Sequence, residues 1–111
     1  MVDIHIQSMK RVDLITVSGR VDSSTAHELE EALENCISDG RHNLVLEMSG
    51  VDYLSSAGLR ALVAALRASK KRGGDVRIAN PSERVSEVMS LAGLDALFET
   101  YEDVTVAVGS Y

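Results

Sequence analysis

Several residue types are scarce in this sequence of 111 residues, and each scarcity excludes a class of protein. There is no Trp, one Phe and only three Tyr, so the core must be aliphatic. The single cysteine, Cys36, cannot form an internal disulfide, which fits a reducing cytosol. The longest apolar run, residues 59–66, is interrupted by Arg60, so neither a transmembrane helix nor a membrane partner is expected.

The first residues and the net charge limit the expected location and binding partners of the protein. Residues 1–5 contain neither a basic segment nor a long apolar stretch, so we expect no signal peptide and a cytoplasmic location. The net charge is −6, which argues against binding to the phosphate backbone of a nucleic acid. One basic run, Lys70, Lys71 and Arg72, precedes two glycines, and we interpret it as the cationic end of a helix.

No constellation of residues typical of catalysis or metal binding is visible. The three histidines, His5, His27 and His42, have no ligand spacing with Cys36 or with one another, so no metal site is expected. There is no glycine-rich phosphate loop with a lysine, and no serine, histidine and acid set stands out. The sequence therefore predicts a protein that is not an enzyme and carries no cofactor.

The hydrophobic pattern predicts one domain over residues 1–111. The hydrophobic fraction of 45% suffices for one core, and no linker or repeat divides the chain. Alternating apolar residues predict a hairpin over residues 2–17, and the apolar run of residues 44–46 predicts a strand covered on both faces. Helical spacing follows near residues 25–37, 57–72 and 82–92. The order β-β-α-β-α-β-α indicates an α/β fold, with a mixed sheet and helices packed on it.

The sequence pattern also bears on the start of the first helix and on the C-terminal tail. Thr25 and Glu28 have the spacing of a capping box, which predicts reciprocal side-chain caps at the start of the first helix. Residues 104–108 alternate β-branched and other residues, as a strand does, and the pattern alone leaves the structure of this tail open.

One predicted loop, residues 49–59, places two adjacent serines where the second helix begins. Ser55 or Ser56 can cap the free N–H groups of that helix, and the small Ala57 and Gly58 would keep its first turn open to a partner. The same helix N-terminus would favour a phosphate on either serine, because its N–H groups and its dipole attract anions. From the residues alone, two ordinary helix caps are the favoured interpretation.

Three motifs in order give the chain a resemblance to the STAS family, and specifically to the stand-alone anti-sigma factor antagonists of bacteria. They are residues 17–26 (VSGRVDSSTA), residues 44–51 (LVLEMSGV) and residues 53–60 (YLSSAGLR). The resemblance covers the chain from about Val2 to Thr100. It implies a STAS-type single domain whose chain ends in a short strand, here residues 97–100, and then a helix from Glu102 onward.

The resemblance also implies a switch and the residues that carry it. The serine that receives a phosphoryl group from a GHKL-type anti-sigma factor kinase maps to Ser56. The preceding residue is usually aspartate, and Ser55 in its place brings no charge and is a second candidate acceptor. Asp22 maps to the aspartate near the kinase-binding surface, although a turn or cap role is equally open. The implied partner-binding residues are Asp22, Ser23, Ser55, Ser56, Ala57, Gly58 and Arg60.

Two functions from different classes follow from the resemblance. In the first, the unphosphorylated protein binds the kinase, which releases its sigma factor, and phosphorylation ends the binding until a PP2C-type phosphatase reverses it. In the second, the domain is a non-catalytic accessory subunit of a transport or stressosome-like assembly, and the serine is silent. The presence of Ser56 favours the first, whereas Ser55 in place of aspartate keeps the second open.

Overall fold

The computed structural model describes all residues, 1–111, and confirms the predicted order of elements. The chain adds one short strand and one short helix after the predicted seven elements. The elements are β1 Val2–Ser8, β2 Asp13–Val21, α1 Ala26–Ser38, β3 Asn43–Leu54, α2 Ser56–Lys71, β4 Asp75–Ala79, α3 Glu83–Leu91, β5 Thr100–Tyr101 and α4 Val104–Gly109.

The five strands form one mixed sheet in the order β1-β2-β3-β4-β5. Strand β1 is antiparallel to β2, and every later pairing is parallel. Leu44, Val45 and Leu46 are completely buried in the central strand, as their continuous apolar run predicts. Helices α1, α2 and α3 pack on one face of the sheet and α4 packs on the other, so both faces of β3 are covered.

The predicted capping box at the start of α1 is wrong. The Thr25 hydroxyl donates to the Arg20 carbonyl (2.8 Å) and accepts from the Asp22 N–H (2.9 Å), and Thr25 makes no side-chain cap. The Asp22 carboxylate accepts instead from the N–H groups of Ser24 and Thr25. The turn before α1 is therefore closed by a residue three positions earlier than the sequence pattern indicated.

Strand β3 is longer than predicted, and most of the expected loop of residues 49–59 is strand. The chain stays paired with β2 as far as Leu54, through two register shifts in the pairing. Gly50 permits this pairing, because a Cβ there would lie 2.8 Å from the Ser18 Cβ. Only Ser55 separates the end of β3 from the start of α2.

The tail is a short strand and a helix, as the family resemblance implied. The strand is Thr100–Tyr101, shifted from the expected 97–100, and residues 104–108 lie in α4 in spite of their strand-like alternation. The Asp103 carboxylate caps α4 by accepting from the N–H groups of Thr105 (2.7 Å) and Val106 (3.2 Å). The cap, together with burial of Ala107 against the sheet, outweighs the weak β preference of these residues.

The last residue, Tyr111, fixes the tail to the sheet. Its hydroxyl lies 2.6 Å from the Leu44 carbonyl oxygen and 2.7 Å from that of Asp75, and the two carbonyls share its single proton. The Arg77 guanidinium lies 4.0 Å from the centre of its ring. Burial raises the pKa of Tyr111 well above its usual range, so the hydroxyl remains a donor at neutral pH.

Candidate functional site

The candidate site lies where the parallel strands β2 and β3 end side by side. Val21 pairs with Leu54, and the Ser55 N–H donates to the Val21 carbonyl at 2.9 Å. The residues that follow each strand are thereby brought together at one edge of the sheet. Asp22 follows β2 and Ser56 follows the end of β3, so the structure places the two main predicted site residues on neighbouring chain segments.

The two serines have different environments. Ser55 is the N-cap of α2, with extended backbone angles, and its hydroxyl accepts from the Gly58 N–H at 3.3 Å. Ser56 is the first residue of the helix, and it is exposed. Since Ser55 makes the cap, the Ser56 hydroxyl is left out of it and faces solvent at the positive end of a 16-residue helix dipole.

Asp22 is the acceptor for a tight turn. One carboxylate oxygen accepts from the Ser24 N–H (2.9 Å) and hydroxyl (2.7 Å) and from Thr25, and the other accepts from Nε of Arg20 (3.0 Å). The Ser24 hydroxyl above all, with the Ser24 N–H, Arg20 and Thr25, holds the pKa of Asp22 well below its usual range, although desolvation opposes the shift. Asp22 is therefore a fixed negative charge that closes the turn, and its role in partner binding stays a prediction.

Arg20 and Tyr53 form a pair beside this turn that sequence analysis missed. They are opposite one another across β2 and β3, and the Arg20 guanidinium lies 4.0 Å from the centre of the Tyr53 ring. Arg20 thereby links the aromatic ring to the Asp22 carboxylate. Nothing in the sequence could have paired them, because two register shifts precede this point of the ladder.

Gly58 does not belong to the exposed surface, and the expectation that it keeps the first helical turn open to a partner is wrong. It is buried, and a Cβ there would lie 2.6 Å from Leu54 Cδ1 and 2.8 Å from Val21 Cγ1. The missing side chain lets α2 approach the ends of β2 and β3 closely. The close approach at Gly58 thus fixes where α2 begins relative to the two strands, and with it the position of Ser56.

The remaining predicted site residues differ in how exposed they are. Ser23 is exposed in the turn after β2, Ala57 is half-buried, and Arg60 is exposed one helical turn after Ser56. Arg60 takes part in no salt bridge, so its charge is available to a group on Ser56 or to a partner.

Other chemistry finds no support in the residues present. No group of three or more His, Cys, Asp or Glu side chains is placed to hold a metal ion. Burial, and next the nearby Asp13 carboxylate, raise the pKa of the Cys36 thiol to about 11, so it is protonated and unreactive at neutral pH. None of the helices has the length and apolar character needed to cross a membrane.

A family model and a known protein each match nearly the whole chain. Residues 3–107 match the model of the STAS domain. An anti-sigma-B factor antagonist from Staphylococcus epidermidis is 28% identical over 106 residues, which cover 94% of this chain and 98% of that protein.

Solved structures agree. The crystal structure of an anti-sigma factor antagonist from Mycobacterium paratuberculosis superimposes with a TM-score of 0.89 at 27% identity, covering 99% of this chain and 93% of the other. The Bacillus cell fate determinant SpoIIAA in its phosphorylated form has a TM-score of 0.78 at 15% identity, covering 97% and 98% of the two chains, which is a likeness of fold.

Proposed function

The chain belongs to the STAS-domain family, and from that premise we propose that it is an anti-sigma factor antagonist controlled by phosphorylation of Ser56. Unphosphorylated, it binds an anti-sigma factor kinase of the GHKL type, and the kinase releases its sigma factor. Phosphorylated, it dissociates, and a PP2C-type phosphatase restores the binding form. The protein acts in the cytoplasm by binding and catalyses no reaction itself.

One observation carries the proposal, namely the exposed hydroxyl of Ser56 at the start of α2. The neighbouring Ser55 already caps the helix, so modification of Ser56 removes no bond on which the fold depends. Aligned N–H groups at a helix N-terminus stabilise a phosphate. The site therefore tolerates both states, as a reversible switch requires.

The surface around Ser56 supplies the recognition elements. Asp22 is a rigid charge beside the serine, and Arg60 is an unpaired cation one turn away. Ser23, Ser55 and the half-buried Ala57 add small side chains that let a partner approach the backbone. The names of the relatives support this assignment, since both the staphylococcal and the mycobacterial protein are called antagonists of anti-sigma factors.

The function is tested by identifying the partner and the modified residue together. The wild-type protein, immobilised without phosphate, should capture a GHKL-type kinase from lysate of the source organism. Incubation with that kinase and ATP, followed by peptide mass spectrometry, should find phosphate on Ser56. Phosphate on Ser55 alone would overturn the assignment of the acceptor, and no phosphate on either serine would overturn the switch.

Matched variants separate the acceptor from its surroundings. Ser56→Ala loses the acceptor but no cap bond, so it should bind the kinase whether or not ATP is present. Ser86→Ala removes an exposed serine from α3 and should leave both binding and its loss with ATP unchanged. Release of Ser56→Ala by ATP would contradict the proposal.

A second function is favoured by a single observation, the uncharged Ser55 at the position where the family usually has aspartate. If the domain is an accessory subunit of a transport or stressosome-like assembly, the same capture experiment recovers assembly subunits and no kinase. Recovery of such subunits, with Ser56 unmodified, would replace the first proposal by the second.

A further inference from the structure

The edge of the sheet opposite the Ser56 site collects the loops that precede three parallel strands. Strands β2, β3 and β4 begin at Asp13, Asn43 and Asp75, and their pairing places these residues side by side. The β1–β2 turn, the α1–β3 loop and the α2–β4 loop therefore meet there. The Asp75 N–H donates to the His42 carbonyl at 3.1 Å, which links two of these loops directly.

Positive charge is concentrated at this edge, although the chain as a whole carries −6. Six of its eleven Lys and Arg residues lie in these loops or at the adjoining end of α2, namely Lys10, Arg11, Arg41, Lys70, Lys71 and Arg72. We call this region the basic edge.

Few carboxylates balance these cations. Asp13 and Asp75 are buried and already paired, with Arg41 and with Arg77 and Lys70 respectively. Asp39 is the one exposed carboxylate in the loops of the basic edge. Lys10 and Arg11 form no salt bridge, so their charges are unneutralised within the protein.

A small cavity lies within the basic edge, between the β1–β2 turn and the α1–β3 loop. Its volume is about 100 Å³, and Val12 is its one apolar lining residue. A water molecule occupies about 30 Å³ of liquid, so the cavity has room for a tetrahedral oxyanion. Its polar wall is formed by Lys10, Arg11, Arg41, His42 and Asn43, together with the buried Asp13.

The walls of this cavity are held in place by the protein. Arg41 binds the buried Asp13 through Nε and donates from Nη2 to the Met9 carbonyl at 2.9 Å, which leaves Nη1 without a hydrogen bond in the protein. Asn43 donates to the Arg11 carbonyl at 3.1 Å and ties the turn to β3. A fixed guanidinium with a free donor, flanked by two unpaired cations, is a preorganised group for an oxyanion.

We propose that this cavity binds a phosphate-type oxyanion, held by Lys10, Arg11 and Arg41 at the edge of the sheet opposite Ser56. The excess of acidic residues elsewhere disfavours a long polyanion such as nucleic acid, whereas a single tetrahedral group meets only the local cations. The group is either free in solution or carried on another protein. This site is separate from the proposed switch and does not depend on it.

The test is an amide-shift titration of the full chain by NMR, at constant ionic strength. Inorganic phosphate should move the amide signals of residues 10–12 and 40–43 along a saturable curve in the millimolar range, and sodium chloride should not. O-phospho-L-serine distinguishes the sources, because binding tighter than that of inorganic phosphate indicates a protein-borne group and equal binding indicates the free ion. Shifts that chloride reproduces, or that never saturate, would overturn the proposal.

Two double variants with the same change of net charge complete the test. Lys10→Gln with Arg11→Gln should weaken phosphate binding about tenfold or more, because two cations next to the anion are lost. Arg67→Gln with Arg84→Gln removes two exposed cations from α2 and α3 and should leave the affinity within about twofold, as expected for screened charges. Equal weakening by both pairs would show a general charge effect and refute a localised site.

Discussion

Replacing Ser56 with Asp places a permanent negative charge at the first residue of α2, and the structure predicts opposite effects on stability and on partner binding. A carboxylate in the first turn of a helix is favourable by about 0.3–1 kcal/mol. Arg60, one turn later on the same helix and unpaired, adds about 0.3–0.5 kcal/mol. The cap is unaffected, because Ser55 supplies it. The free variant should therefore melt about 3–6 °C higher than the wild type.

The same substitution should weaken binding to the kinase, and by more free energy than it adds to the stability of the free protein. In a complex that covers the start of α2, the new carboxylate loses water without gaining a cation from the partner. The exposed Arg60 offsets this loss only in part, so the net cost is about 2–4 kcal/mol. Every 1.4 kcal/mol is about tenfold in affinity, so the kinase should bind about 30- to 1,000-fold more weakly. The binding penalty exceeds the gain in the free protein, and no change of fold is needed.

Thermal melts of the free proteins and calorimetric titration with the kinase measure the two effects separately. Ser86→Asp is the matched control, because it adds the same charge at an exposed position of α3 and should change both quantities by less than about 0.5 kcal/mol. The electrostatic account fails if Ser56→Asp melts well below the wild type, or if amide shifts change far from Ser56. Either result would indicate a conformational switch.

Three further predictions test the parts of the fold that hold the site. Asp22→Ala should lower the free energy of unfolding at neutral pH, because two N–H groups lose their acceptor. Since the pKa of Asp22 is lowered in the fold, its contribution is present above about pH 4 and lost as the pH falls, so urea unfolding of variant and wild type should converge in acid. Gly58→Ala should lower the free energy of unfolding by about 0–2 kcal/mol, because the cost of overpacking against Leu54 exceeds the gain in helix propensity. Gly109→Ala is the control, since there is open space around Gly109 and no loss of stability is expected. Tyr111→Phe should cost about 1–3 kcal/mol; because burial raises the pKa of Tyr111, the wild-type advantage should disappear as the pH rises above about 10.

Sequence reasoning succeeded where the pattern that specifies an element is local. The alternation of β1, the continuous apolar run of β3 and the serine pair at the start of α2 all predicted elements that the structure contains. These segments are specified locally, since the hydrophobic period and the cap residues lie within a few positions of one another. The position of Ser56 at a helix start followed from the same local chemistry.

The sequence pattern was wrong at Thr25 and left the tail undecided, and in both places tertiary contacts decide the structure. Thr25 and Glu28 have a capping spacing, yet Thr25 bonds to the Arg20 carbonyl, a partner five residues away in the preceding strand. The tail alternates like a strand, but Asp103 caps it as a helix and Ala107 packs on the far face of the sheet. In both cases a contact that the local pattern does not encode was worth more than a weak propensity.

The same distinction predicts how Ser55 differs in effect from the aspartate that the family resemblance implies at this position. Ser and Asp are about equally good N-caps, so the helix start keeps its geometry with either residue. The exchange therefore acts on charge and not on fold: one negative charge is absent beside Ser56, and Asp22 is the carboxylate that remains nearby, fixed in its own turn. In the proposed switch, a phosphate on Ser56 would then add about −1.5 to −2 charges at the start of a helix whose first turn contains no acidic residue. The repulsion that a carboxylate at position 55 would exert on that phosphate is missing, so the phosphorylated form of this chain should be more stable than that of a Ser55→Asp variant.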